Sequence, residues 1–498
     1  MAIARAVPPD WLPSQGLIAA GLALCLLRVV IAAGAGLTDD EAYYRLWGLA
    51  PAISYLDHPP LAGWLIWLGQ QLAGDTTLGV RLAAVLAPLL GTLLTWRTAG
   101  LLFGRAVAAW AAWFGLAMPL LSAGGVIMTP DIPSVLAWGL TSWAVAELWH
   151  SKQPYWWLLI GLFAGLGLLS KYTNLFAGAG IVLWLLVSGQ LGRWTRSWQL
   201  WAGAALGAVC FAPVLIWNQA HHWASFTKQF GRVGAGHELT WRFLGELLGG
   251  AFGLLSPAIA VLAAIGGWQA LKVARRDRQS PEALLLCGLA PVVLYLLVHA
   301  LHDRVQPNWP APIYPAFGVL AGLAASRLEL APAPGWRRFT AAALPLGFGI
   351  SALIYLHVFR PLLHLPGDKD PTAQMQGWAA FGRAVDAKRA AAGAQWIATS
   401  SYAMTGQLAF REPQTVPVLQ LTERLRYLQL PAPDPAILLT PALYVELQRR
   451  AEPDLLRQRF GVVEPLGLLT RDSGEVPVDT YVLYKLANPI APVLDPID

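Results

Sequence analysis

The sequence predicts a polytopic α-helical membrane protein of about eleven spans, followed by a small C-terminal α/β domain. Three observations carry this. Of 498 residues, 56% are hydrophobic and only 13% are charged, against about 25% charged in soluble domains. Apolar runs recur at close to the ~20 residues that a helix needs to cross a bilayer. After about Leu365 those runs stop and charge becomes denser.

The first run, from about Gly16 to Gly36, has no small-residue cleavage site before Thr38-Asp39-Asp40. It reads as a retained span rather than a cleaved leader. The expected spans are 14–36, 78–102, 106–123, 131–150, 155–170, 172–189, 198–217, 242–271, 282–300, 309–328 and 338–359. The stretch 155–189 is either one broken span or two short ones. Positive charge alternates between loops: Arg5, Arg105, Lys152, Arg193 with Arg196, Lys272 with Arg275, Arg276 and Arg278, and Arg337 with Arg338 mark one side. The loop 37–77 on the other side carries Asp39, Asp40, Glu41, Asp57 and Asp75 against Arg45. Cytoplasmic loops are the positive ones, so the N-terminus is expected inside. An odd number of spans then puts the C-terminus outside.

This divides the chain into a membrane domain, 1–365, and an extracytoplasmic α/β domain, 366–498. In the latter, 395–399, 436–440 and 480–484 read as strands, and 377–391 and 442–450 as helices. The net charge of +6 is spread over short loops and is no nucleic-acid signal. Cys25, Cys210 and Cys287 lie in apolar runs, with neither metal-ligand spacing nor a disulfide framework.

Ionisable residues near membrane depth are functional candidates, and four clusters stand out at the outer ends of spans. Thr38-Asp39-Asp40-Glu41-Ala42-Tyr43-Tyr44 follows the first span; its three acids repel one another and need cations or protonation if buried, the alternative being a helix N-cap. Tyr55-Leu56-Asp57-His58-Pro59-Pro60-Leu61 precedes an apolar helix too short to span, expected at the interface. Met128-Thr129-Pro130-Asp131 opens the fourth span, where the helix dipole favours an anion. Ser170-Lys171-Tyr172 and His302-Asp303-Arg304 supply cations, and Lys171 needs an anionic partner. Acids and cations at one membrane face suit sugar transfer from a lipid phosphate. An acid takes the proton of the incoming hydroxyl, and cations stabilise the departing phosphate.

These residues resemble the GT-C glycosyltransferases, in particular a bacterial branch like families 39 and 83. That branch is related to the aminoarabinose transferases of lipid A and to the protein O-mannosyltransferases. Five motifs carry the resemblance in order over 38–315: Asp40-Glu41-Ala42-Tyr43-Tyr44, Asp57-His58-Pro59-Pro60-Leu61, Thr129-Pro130-Asp131, Leu169-Ser170-Lys171-Tyr172 and Pro307-Asn308-Trp309-Pro310-Ala311-Pro312. Asp370-Pro371-Thr372-Ala373 and Gly377-Trp378 resemble it less distinctively. The resemblance implies a polyprenyl-phosphate-sugar donor, an outer-face site, inversion at the anomeric carbon, and an envelope lipid, glycan or protein as acceptor. It implies the inner membrane of a bacterium as location. Asp40 matches the first-loop catalytic acid, beside Glu41, and Asp131 the second acidic site. Lys171, Arg304, His58 and Tyr55 are the candidates for donor phosphate and lipid; Asp57, Tyr43, Tyr44, Tyr172, Asn308 and Trp309 those for positioning substrate. Asp57-His58 stands where the aminoarabinose transferases have Glu-Lys, which argues against assuming their donor and acceptor. No cofactor is expected to be obligatory, although Asp40 and Asp131 could in principle hold a divalent cation. The competing readings are a transporter or flippase of a lipid-linked sugar, and a ligase moving glycans from a pyrophosphate carrier.

Overall fold

A computed structural model describes residues 13–231, 239–329, 334–363, 369–412, 415–474 and 476–497. Arg5 and the expected boundary at Leu365 lie outside the described residues. The chain forms two compact units. One comprises Met1–Val30, Asp57–Ala62 and Ala83–Leu353; the other Ile31–Leu56, Gly63–Leu82 and Ile354–Asp498.

The first unit is helical. Its outward residues are large and apolar: Leu22, Leu26 and Val30 are 52%, 69% and 66% exposed. In water such a face would be a liability; facing lipid it is the solvated side. Helices approach one another through small residues, the usual device where no hydrophobic force acts between them. On Trp156–Ser170, Gly161 and Gly165 meet Gly203 and Gly207 of Trp198–Ala220, and a Cβ at Gly161 would lie 1.9 Å from the Gly203 carbonyl oxygen. The core is correspondingly rich in alanine, with Ala108, Ala111 and Ala112 packed in one cluster with Ala321, Ala324 and Ala325.

All eleven expected segments contain helix. Among the described residues, six helices are long and apolar enough to cross a membrane: Gln15–Gly34, Thr77–Phe103, Trp198–Ala220, Pro257–Arg276, Pro281–His299 and Pro334–Phe359. A bent pair, Arg105–Ala117 with Pro119–Val126, makes a seventh; it turns by 67° where Pro119 removes an N–H donor. The expected span 242–271 is two helices, Arg242–Leu255 and Pro257–Arg276. Ser256 between them has φ 72°, and Pro257 starts a new helix rather than continuing the old one. The region 155–189 is broken at Lys171 into Trp156–Ser170 and Tyr172–Val187.

Among the described residues of the second unit, five strands form one sheet, β1 (Trp396–Thr399), β2 (Val418–Gln420), β3 (Ala442–Leu447), β4 (Phe460–Ser473) and β5 (Val476–Pro489), in the order β2-β1-β3-β5-β4. β2, β1 and β3 are parallel, while β3, β5 and β4 pair antiparallel. Side chains alternate between faces: Ile397, Leu443 and Val445 pack with Trp378 and Phe381, while Trp396, Ala398, Ala442 and Tyr444 pack with Leu456 and Phe460. Expectations at 396–399 and 480–484 hold, as does the helix Trp378–Ala391. Two are corrected. Residues 436–440 are not a strand, because Asp434 caps a helical turn with Pro435 at its first position. Residues 442–447 are not helical but the central strand β3, buried at every position. Burial on both faces hides the alternation that marks a half-exposed strand.

Candidate active site

The acids after the first span all belong to the second unit. They open the helix Asp39–Leu49, and Thr38 forms a capping box with Glu41, so capping is indeed part of their role. Each acid finds a different partner, which is how three adjacent carboxylates coexist. Gln407 Nε2 donates to Asp39 Oδ1 at 3.1 Å, and the Tyr402 hydroxyl to Asp40 Oδ1 at 3.0 Å. Arg81 donates to both Glu41 oxygens, at 2.7 and 2.6 Å. Burial pushes the Asp39 carboxyl above its ordinary value, opposed by the Gln407 hydrogen bond. Tyr43 lies 5.7 Å from Tyr44 and 5.2 Å from Tyr402, centroid to centroid. Tyr55 stacks on Trp47 at 4.4 Å and donates to its carbonyl. Burial pushes the Tyr55 phenol up to about 12.

The other candidates lie in the first unit. Asp131 begins the helix Asp131–Ser151. Lys171 reaches it from the break between Trp156–Ser170 and Tyr172–Val187, where its backbone is extended. Its Nζ is 2.6 Å from Asp131 Oδ1, which supplies the anionic partner the sequence demanded. Asn308 Nδ2 donates to Asp131 Oδ2 at 2.8 Å. Both carboxylate oxygens of Asp131 therefore accept a strong donor, while an ammonium has three donors and spends one on Asp131. Asp131 and Asn308 line a cavity of about 220 Å³ whose walls are otherwise mostly apolar, Pro88, Leu116, Leu120 and Val135 among them.

Asp57 pairs with Lys228 at 3.0 Å, and its carbonyl accepts from Gln229; His58 follows, partly buried, beside them. The Tyr172 hydroxyl bonds Ser225 at 2.7 Å. Trp309 packs against His299 at 5.6 Å. Arg304 pairs with Glu246 at 3.0 Å with 62% of its side chain exposed. Asp131, Lys171 and Asn308 are thus brought together, whereas Arg304 and Asp57 each have other partners. Among the described residues no group of three or more His, Cys, Asp or Glu is arranged to hold a metal ion.

Sequence reasoning missed several contributors. Arg28 and Arg81 are cations inside expected spans, and that was a usable signal. Arg28 is buried, lines the same cavity, and donates to the carbonyls of Ser122 and Leu121, at 3.2 and 3.3 Å. Tyr402 and Arg426 had no local signal; they are identified only by folding.

Residues 57–217 match the family model described as dolichyl-phosphate-mannose-protein mannosyltransferase. The lipid A galacturonosyltransferase RgtD of Rhizobium johnstonii is 26% identical over 294 residues, 57% of this chain and 59% of that one. The undecaprenyl phosphate-alpha-4-amino-4-deoxy-L-arabinose arabinosyl transferase of Pseudomonas aeruginosa is 28% identical over 343 residues, 62% of this chain and 57% of that one. The chain thus covers less than two thirds of the length of these curated relatives. The crystal structure of ArnT from Cupriavidus metallidurans bound to undecaprenyl phosphate superposes with a TM-score of 0.62 at 18% identity, covering 97% of this chain and 100% of that one. The fold is that of a multi-pass membrane protein of the architecture seen in the ArnT structure. The sequence is similar to those of a lipid A galacturonosyltransferase and an undecaprenyl-phosphate-sugar arabinosyl transferase, the kind of protein that the five motifs resemble.

Proposed function

We propose that this protein is an inverting glycosyltransferase. It moves a sugar from a polyprenyl-phosphate donor to a hydroxyl of an envelope lipid, glycan or protein. The observation that carries this reading is the Asp131–Lys171–Asn308 cluster at an apolar cavity among membrane helices. A cavity of that kind suits a lipid chain, and a cation at its polar end suits the phosphate on that chain. Lys171 stabilises the charge that grows on the phosphate as the sugar leaves, and Asp131 orients Lys171. Asp40 is the proposed proton acceptor for the incoming hydroxyl. Glu41, with both oxygens on Arg81, holds the helix that carries Asp40. No divalent cation is required on this reading, since a monophosphate leaving group carries less charge than a pyrophosphate.

We also propose a bacterial inner-membrane location, with the N-terminus cytoplasmic and residues 366–498 outside. The loop charges support it. A topology reporter near Arg276 should report cytoplasm, and one after Asp498 the outer side.

Purified protein given a short-chain polyprenyl-phosphate sugar and envelope extract tests the reaction. Transfer of sugar with release of polyprenyl monophosphate is expected. Consumption of pyrophosphate-linked donors alone would favour the ligase reading. Movement of donor across a membrane without bond cleavage would favour the transporter.

A further inference from the structure

We propose that Tyr402 is a positioning residue for Asp40, so that the C-terminal part of the chain is a working part of the catalytic machinery. This rests on the reading of Asp40 as proton acceptor.

The geometry starts at the sheet. The parallel strand β1 ends at Thr399, and after two residues the helix Tyr402–Arg411 begins, capped by Ser401. The C-terminal ends of parallel strands are where open α/β sheets present functional groups. Here that end presents Tyr402 to the acidic helix Asp39–Leu49. The two helices touch backbone to backbone: a Cβ on Gly406 would lie 2.7 Å from both the Ala42 carbonyl carbon and the Tyr43 nitrogen. One turn along from Tyr402, Gln407 donates to the Leu37 carbonyl at 3.0 Å and to Asp39. The Tyr402–Asp40 hydrogen bond is therefore set by a rigid helix pair and not by a wandering surface side chain.

The ring is held as well. The Arg426 guanidinium lies 4.8 Å from the Tyr402 ring centre and 5.6 Å from that of Tyr43, and Arg426 is itself tethered to Glu423 at 2.9 Å. Burial, and after it the Asp40 carboxylate, pushes the Tyr402 phenol well above its ordinary range. Tyr402 therefore stays protonated and can act only as donor towards Asp40. The last torsion of an aspartate is soft. A fixed donor on Oδ1 removes that freedom and directs the lone pairs of the carboxylate, and such orientation is a large part of catalytic power.

The test is a double-mutant cycle in the full-length protein, using a short-chain polyprenyl-phosphate sugar that the wild type turns over. Tyr402→Phe keeps the ring against Arg426 and Tyr43 and removes only the hydroxyl. We expect it to lower kcat about tenfold, leave the KM for the donor unchanged, and add no further loss to Asp40→Asn. A purely structural role would instead cost the same factor in both backgrounds, and that result overturns the proposal. Wild-type kcat in Tyr402→Phe, with Asp40→Asn inactive, also overturns it while leaving the role of Asp40 intact. Wild-type turnover in Asp40→Asn overturns the role of Asp40 itself.

Discussion

Arg81 grips both carboxylate oxygens of Glu41, at 2.7 and 2.6 Å, with both side chains fully buried. Arg81 also donates to the carbonyls of Ala35 and Gly36, at 2.9 and 2.7 Å, so the pair ties the end of Gln15–Gly34 to the start of Asp39–Leu49. Breaking one side of a buried pair strands the other charge, at a cost of about 3–5 kcal/mol. Glu41→Ala and Arg81→Met should each lower the melting temperature steeply, and activity only through loss of folded protein. Full activity per folded molecule in Glu41→Gln would confirm that Glu41 supports the helix and takes no part in proton transfer.

Lys171 is expected to act on the phosphate. Lys171→Met removes the charge but keeps the aliphatic stem, and it should reduce kcat by about 10²–10³-fold, the loss seen when one oxyanion donor is removed. Asn308→Ala should cost less, because it removes one neutral donor to Asp131 and leaves those from Lys171 and Thr129. Steady-state kinetics on folded protein separates the two; equal losses would assign Asn308 a direct role.

The membrane character, the helical positions and the need of Lys171 for an anionic partner were legible because membrane physics makes an isolated cation conspicuous in an apolar run; that Asp131 is that partner was not. The same rule applied to Arg28 and Arg81 would have found them. The number of long spans was less legible: a hydropathy window sees composition, while Pro119 and Ser256-Pro257 break helices that composition leaves whole. β3 read as helix because a strand buried on both faces shows no alternation. Tyr402 lies 362 residues from Asp40, and nothing in its neighbourhood marks the contact.

Helix packing gives a sharper test. Gly161→Leu would drive side-chain atoms into the Gly203 carbonyl, and backbone cannot yield as a flexible side chain does. Overpacking costs about 1–3 kcal/mol even where side chains can move, so the variant should give little folded protein. Gly178, with open space around its would-be Cβ, should accept alanine without change in melting temperature.

Glu412 should make stability depend on pH. The residue is 7% exposed, neither carboxylate oxygen has a hydrogen-bond partner among the described residues, and burial, then the nearby Asp386, pushes the carboxyl from 4.5 up to about 7. The folded state therefore holds a proton that the unfolded chain releases between those values. Stability is full below about pH 4.5 with respect to this group and falls as pH rises towards 7, by about 2–3 kcal/mol. Melts from pH 5 to 8 should show that decline, and Glu412→Gln should flatten it. An unchanged slope in the variant would place the titration elsewhere.

The central claim, that the chain transfers a sugar within the cell envelope, is tested most directly by mass spectrometry of envelope lipids and glycans from cells differing only in this protein. Cells carrying the wild type should contain a species heavier by one sugar residue than cells carrying Asp40→Asn at equal protein level. Identical mass profiles in the two, with the wild type folded and in the membrane, would contradict the account.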